Sequence, residues 1–315
     1  MTIHLISVGI SLFDNLRNRE RRPDDQPGLA RRVDKAKPWD ILGDQAGPAS
    51  EWLVDALAEV GSGGQRSARA TELAGMTERI RPGLWPSRLS AELDTFERDP
   101  KAKRPLPDKD IAVLVSSDTA DGLAAGLWNA VALVDGDLSR VRYLTDPADP
   151  IGQVRGKAVL VRVPGLDAGD ERGFRDAMRG LGLLGRSLRF DVATPEDEPF
   201  RCYLSGGFKA AIPYLIGLAE GLRSLPGIGQ VDAVVLHEVT RSAPIKLPLR
   251  RIGPGLVREE LAGFDANGCR RQPSKNSFLE GYAYETLDDG STQRLTAFGE
   301  GLRALFGLSP EVLGG

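Results

Sequence analysis

The segment Tyr203–Leu215, YLSGGFKAAIPYL, sets two glycines, an aromatic residue and a lysine between a short apolar run and an amphipathic stretch. Gly206 and Gly207 let a backbone approach a ligand closely. The start of the following helix offers unpaired N–H groups to an anion, and Lys209 adds a full positive charge. Ser205 and Phe208 complete the turn, and Pro213 falls where a helix start tolerates the loss of an N–H. This is phosphate-facing chemistry without a Walker loop, because the spacing Gly-x4-Gly-Lys-Ser/Thr is absent. A second turn of related character follows the first apolar run: Ile3 to Val8 ends at Gly9, and Ile10, Ser11 and Leu12 lead into ISLFDNLRNRE. A third lies at Ser117, Asp118 and Thr119, at the end of IAVLVSSDT. There the two hydroxyls suit a pocket wall, Asp118 suits a structural role, and the stretch also fits a strand end with a helix N-cap.

Such turns need rigid elements to aim them. Strand patterns occur at Ile3–Val8, IAVLVSSDT, GKAVLVRVPGLD, RCYL and QVDAVVLHEV. Helical patterns lie between them, in ADGLAAGLWNAVALV, DERGFRDAMRGLGLLGRS and GLAEGLRSL. Alternation of this kind predicts an α/β fold, a Rossmann-like, doubly wound, mostly parallel sheet with ligands at the C-terminal ends of its strands. Residues 19–88 read partly as an insertion, with a charged, Pro-containing stretch followed by helical ASEWLVDALAEVG. A first domain is expected over 1–245. Over 246–315 the order changes to a short helix, GLVREELAGF, a hairpin turning at Asp289-Gly290, and a last helix with Thr296 as its N-cap. That order predicts a small winged-helix-like module.

Composition narrows the chemistry. The chain has 315 residues, 41% hydrophobic and 27% charged, with a net charge of -3, which gives no global electrostatic case for duplex nucleic acid. No apolar run approaches the roughly 20 residues a membrane span needs, and MTIHLISVGIS lacks a basic leader, so a cytoplasmic location is expected. Cys202 and Cys269 are too few for a disulfide framework, and with His4 and His237 too scattered for a metal site, so no metal and no cofactor are expected. Both histidines read as strand residues. GLGLLG at Gly180–Gly185 has dinucleotide spacing, yet it follows a helical pattern and lacks the acidic partner such a site requires.

SVGISLFDN, LVSSDTADGLAA and YLSGGFKAAIPYL, in that order, resemble the CARF domains of CRISPR-associated proteins, the cyclic oligoadenylate sensors of type III CRISPR antiviral defence. The resemblance covers about residues 1–250, and LSAELDTF around Ala91 and Glu92 is similar to a further feature of the family. Ile10 stands where the family usually has threonine, Tyr203 where it has asparagine, and Ser205 where it has threonine. The resemblance implies a homodimer that binds one cyclic oligoadenylate across its twofold axis, cyclic tetra-adenylate favoured and hexa-adenylate open. It assigns ligand contacts to Gly9, Ile10, Ser11 and Leu12, to Ser117, Asp118 and Thr119, and to the turn from Ser205 through Gly206, Gly207 and Phe208 to Lys209. Signalling through the C-terminal module is the first expectation. A metal-independent ring nuclease is the second: the ribose 2′-hydroxyl attacks its phosphate, Ser11 orients and Lys209 stabilises charge. A ligand-controlled DNA-binding regulator is the third. The Arg-x4–6-His ribonuclease motif of HEPN domains, a common partner of CARF domains, is absent ahead of both histidines.

Overall fold

The run IAVLVSS is apolar at every position but its end because both its faces are covered. In the computed structural model it forms β2 (Ile111–Ser117): Ala112 and Leu114 join one apolar cluster, while Ile111, Val113 and Val115 join the other. The structure describes residues 1–17, 33, 35–42, 46–62, 65–81, 89–167, 169–193, 198–207, 209–236, 243–271 and 277–308. The charged stretch 19–32, Phe208 and His237 therefore lie outside the described residues. The other four expected strands are β1 (Ile3–Ser7), β4 (Ala158–Val163), β5 (Phe200–Tyr203) and β6 (Val231–Val235). Two more join them, β3 (Val141–Leu144) and β7 (Ile245–Leu247), at opposite edges of a seven-stranded sheet ordered β3-β4-β2-β1-β5-β6-β7. Each is short, and an edge strand needs no long apolar run, so neither carries a sequence signal. All pairings are parallel except β6–β7. The fold is a Rossmann-like, doubly wound α/β fold.

Helices cover both faces. On one side lie α1 (Ser11–Arg17), α2 (Ala46–Ser62), α3 (Ala68–Ile80), α4 (Ala91–Arg98) and α5 (Ala120–Leu133). Leu53 and Ala56 of α2, with Leu73, Met76 and Ile80 of α3, are buried in the core. Two helices of the stretch read partly as an insertion thus form a structural layer. On the other side lie α6 (Glu171–Ser187) and α7 (Ile212–Ser224). None of the described helices is long and apolar enough to cross a membrane.

After β7 come α8 (Pro254–Leu261), a three-stranded antiparallel sheet of β8 (Cys269–Arg270), β9 (Tyr284–Thr286) and β10 (Gln293–Leu295), and α9 (Ala297–Leu305). Thr296 caps α9 by accepting from the Gly299 N–H at 3.1 Å, and Gly290 takes the positive φ of the hairpin turn. The position 245/246 falls inside β7, within the main sheet. Residues of α8 and α9 share one apolar cluster with α6, α7 and the strands.

Gly182 explains that continuity. It lies mid-helix in α6, inside the run with dinucleotide spacing, and a Cβ there would overlap the Gly301 carbonyl oxygen of α9. The run works as a close helix crossing. Gly182→Ala is expected to force α6 and α9 apart at a cost of about 1–3 kcal/mol, read as a lowered thermal midpoint. An unchanged midpoint would mean that the crossing is loose.

The sheet also carries a buried polar row. His4, Arg201 and Asp232 stand opposite one another on β1, β5 and β6. Arg201 donates to both carboxylate oxygens of Asp99, at the end of α4, and to Asp232 at 2.8 Å. Tyr203 donates to Asp99 at 2.9 Å, and its oxygen lies 3.0 Å from His4 Nδ1.

Candidate functional site

The chain leaves β1 toward the face covered by α1 and leaves β5 toward the face covered by α7, so the two connections part between neighbouring strands. A crevice at the C-terminal strand ends, at such a parting, is where open α/β sheets bind ligands. The β1 turn and the β5 turn meet there. A Cβ on Gly9 would stand 2.6 Å from the Gly207 nitrogen, so only glycine permits the approach. Gly207 has φ +95°, a conformation that favours glycine. Ser7 ties the turns further by donating to the Gly206 carbonyl at 2.6 Å.

Glu92 sits beneath both turns. It occupies the first turn of α4 and is 1% exposed. One carboxylate oxygen accepts from the Gly9 N–H at 2.6 Å; the other accepts from Ser11 Oγ at 3.1 Å and Ser90 Oγ at 2.6 Å. A Cβ on Gly206 would overlap that carboxylate. Burial pushes the Glu92 carboxyl above the usual carboxylate range, against the downward pull of the Ser90 and Gly9 hydrogen bonds. Ser11 Oγ also accepts from the Ala91 N–H at 3.1 Å, and Ser90 Oγ caps α4 by accepting from the Leu93 N–H at 3.2 Å. The Ser11 hydroxyl therefore stitches the β1 turn to α4, while the Ser90 hydroxyl caps α4 and orients Glu92.

The Gly9 N–H faces a carboxylate inside the protein, and the Ser11 hydroxyl is engaged on both its donor and acceptor sides. Leu12 contributes a side chain to the core. Ile10 is 45% exposed at the tip of the same turn.

On the β5 turn, Ser205 Oγ accepts from the Leu236 N–H at 2.8 Å and so anchors the turn to the end of β6. Among the described residues, neither the Gly206 nor the Gly207 N–H has an acceptor in the chain. Lys209 is exposed, has no ion-pair partner among the described residues, and opens the short 3-10 turn Lys209–Ala211 that leads into α7.

The β2 turn is the third wall. Thr119 is exposed and caps α5, accepting from the Gly122 N–H at 3.2 Å, and its oxygen lies 2.9 Å from Ser117 Oγ. Asp118 stands 3.8 Å from Arg162 at the end of β4. Arg162 brings a second cation to this edge of the sheet, and its Nε is buried without a partner. Sequence reasoning gave Arg162 no role, since it sits inside a strand pattern. Glu92 was visible only as a feature of the family resemblance; its contact with Gly9 spans 83 positions of sequence. Among the described residues no group of three or more His, Cys, Asp or Glu side chains is arranged to hold a metal ion.

No protein-family model matches the chain, and no curated protein matches it in sequence.

Proposed function

We propose that this protein is a homodimeric sensor of a cyclic oligoadenylate in type III CRISPR antiviral defence, with cyclic tetra-adenylate the favoured ring. The observation that carries this reading is the contact between the β1 and β5 glycine turns, at the parting of the sheet, with Lys209 exposed beside them. The N–H of half-buried Gly207, which has no acceptor among the described residues, suits a phosphate or ribose oxygen, and Ile10 and Thr119 offer exposed surface on the two neighbouring turns. Each phosphodiester of the ring carries one negative charge. A twofold dimer presents every donor twice, which matches the symmetry of a ring.

Sensing is favoured over ring cleavage because the Ser11 hydroxyl already serves Glu92 and Ala91. Sensing is also favoured over duplex reading. The partly exposed residues of α9 are Ala297, Glu300 and Gly301, which bring an acid and no cation to a DNA groove. The test is a titration of the protein with cyclic tri-, tetra- and hexa-adenylate, read by calorimetry and native mass spectrometry, with products analysed afterwards. The expected result is one intact ring per two chains, for one ring size. Absence of binding by every ring overturns the reading. A linear product formed without metal, and lost in Lys209→Ala, would replace it with the ring nuclease.

A further inference from the structure

Glu92 is the only side chain shown in contact with both glycine turns and with the start of α4 among the described residues. Among the described residues its carboxyl has no cation within ion-pair distance. The β1 turn faces it with the Gly9 N–H and the Ser11 hydroxyl, the β5 turn with Gly206, and its own helix with Ser90. None of these groups titrates. Asp94, two residues along α4, pairs with Arg98 at 2.7 Å, and Lys209, three residues beyond Gly206, is exposed.

We propose that Glu92 is a positioning residue that clamps the β1 turn to α4 and forms the floor of the β5 turn, and that its carboxyl is uncharged when an anion occupies the site. The second half rests on the phosphate-ligand reading above. A buried carboxylate without a cation repels a polyanion held over the same turns, in a medium of low dielectric. The neutral acid does not. The Ser11 and Ser90 oxygens each keep a second lone pair beside the one that accepts from the Ala91 or Leu93 N–H. A protonated carboxyl oxygen can donate to one of them once that hydroxyl's proton turns away, so the clamp survives the loss of charge. Burial already favours the neutral form.

The linkage has a definite sign. An anionic ligand raises the Glu92 pKa further, so binding takes up a proton. Affinity is then greatest at acid pH and falls as pH rises from the pKa of the free protein to that of the complex. The fall is up to about tenfold per pH unit for each of the two Glu92 carboxyls, and so up to about a hundredfold per pH unit for one ring.

The experiment compares wild type, Glu92→Gln and Glu92→Ala by two readouts. The first is amide exchange of the ligand-free proteins over the peptides that contain Gly9 and Gly206. Glu92→Ala is expected to speed exchange in both turns by about tenfold or more, while Glu92→Gln, which keeps the shape and an acceptor, stays within about threefold of wild type. Unchanged exchange in Glu92→Ala overturns the clamp. The second is the Kd for cyclic tetra-adenylate between about pH 5.5 and about pH 8, where His side chains titrate; among the described residues none contacts the carboxyl. Wild type is expected to lose affinity as pH rises and Glu92→Gln to show no such trend. A flat wild-type profile, or the same slope in Glu92→Gln, overturns the ionisation half. Failure of every ring to bind wild type removes the ligand reading and the ionisation half with it, and leaves the clamp to stand or fall on amide exchange. The Gln variant preserves volume, so the pH comparison does not depend on the Ala variant folding.

Discussion

Arg201→Ala is expected to destabilise the fold by about 3–5 kcal/mol, the cost of leaving buried carboxylates without their cation. Arg201 is 8% exposed and bridges Asp99 and Asp232, which are 1% and 3% exposed. Asp232 keeps Lys101 at 3.3 Å and Lys246, both on exposed stems, whereas among the described residues Asp99 keeps only the Tyr203 hydroxyl and the Lys101 N–H. Asp99 is thus the group left stranded. Burial acts to raise its pKa, but the hydrogen bonds from Arg201, the Lys101 N–H and Tyr203 outweigh burial and hold it below the ordinary value. A carboxylate with a lowered folded-state pKa contributes stability above its unfolded pKa, and that stability is lost as pH falls through the folded value. Asp110 and Asp232 are lowered as well, so the wild-type fold should weaken on the acid side of about pH 4. In Arg201→Ala the Asp99 pKa rises, and the deficit against wild type should be large at neutral pH and shrink in acid. Denaturant midpoints at both pH values decide the matter. Equal midpoints for variant and wild type would mean that the row contributes nothing.

The second large effect concerns the ligand. Under the proposed function, Lys209→Ala removes a charge-assisted hydrogen bond of about 1.5–3 kcal/mol from each of two subunits, about 3–6 kcal/mol for one ring. That corresponds to a loss in Kd of roughly 10²- to 10⁴-fold. Stability should be unchanged, because Lys209 is exposed and has no ion-pair partner among the described residues. The wild-type affinity should also weaken with added salt, and the variant should show a shallower salt dependence. Calorimetry at two salt concentrations measures both. A variant that binds within a few-fold of wild type would show that Lys209 points away from the ligand. Lys209→Arg keeps the charge and separates a need for charge from a need for ammonium geometry.

How much of this was legible can be argued residue by residue. Mostly apolar runs announced β1, β2, β4, β5 and β6, because a buried parallel strand faces apolar layers on both sides. His4, Arg201 and Asp232 interrupt three of these runs, and they pair with one another across the sheet. Thr119 and Thr296 announced helix starts by a local rule, a hydroxyl accepting an N–H three residues on, and both do so. β3 and β7 went unseen because edge strands do not need a two-faced pattern. Ser11 was read as a ligand group from its place in the turn, and its partners, Glu92 and Ala91, lie some eighty positions away.

The sequence by itself determined the alternation of strands and helices, the three turns at strand ends and the placement of a lone lysine before α7. Hydrophobic period, glycine conformation and helix capping act over a few residues, so these features are written locally. Only the tertiary structure decided that the β1 and β5 turns touch, that a buried acid lies beneath them, and that the C-terminal helix shares the core of α6 and α7. Those outcomes depend on strand order and on close backbone packing between distant segments, and neither leaves a periodic trace in the chain.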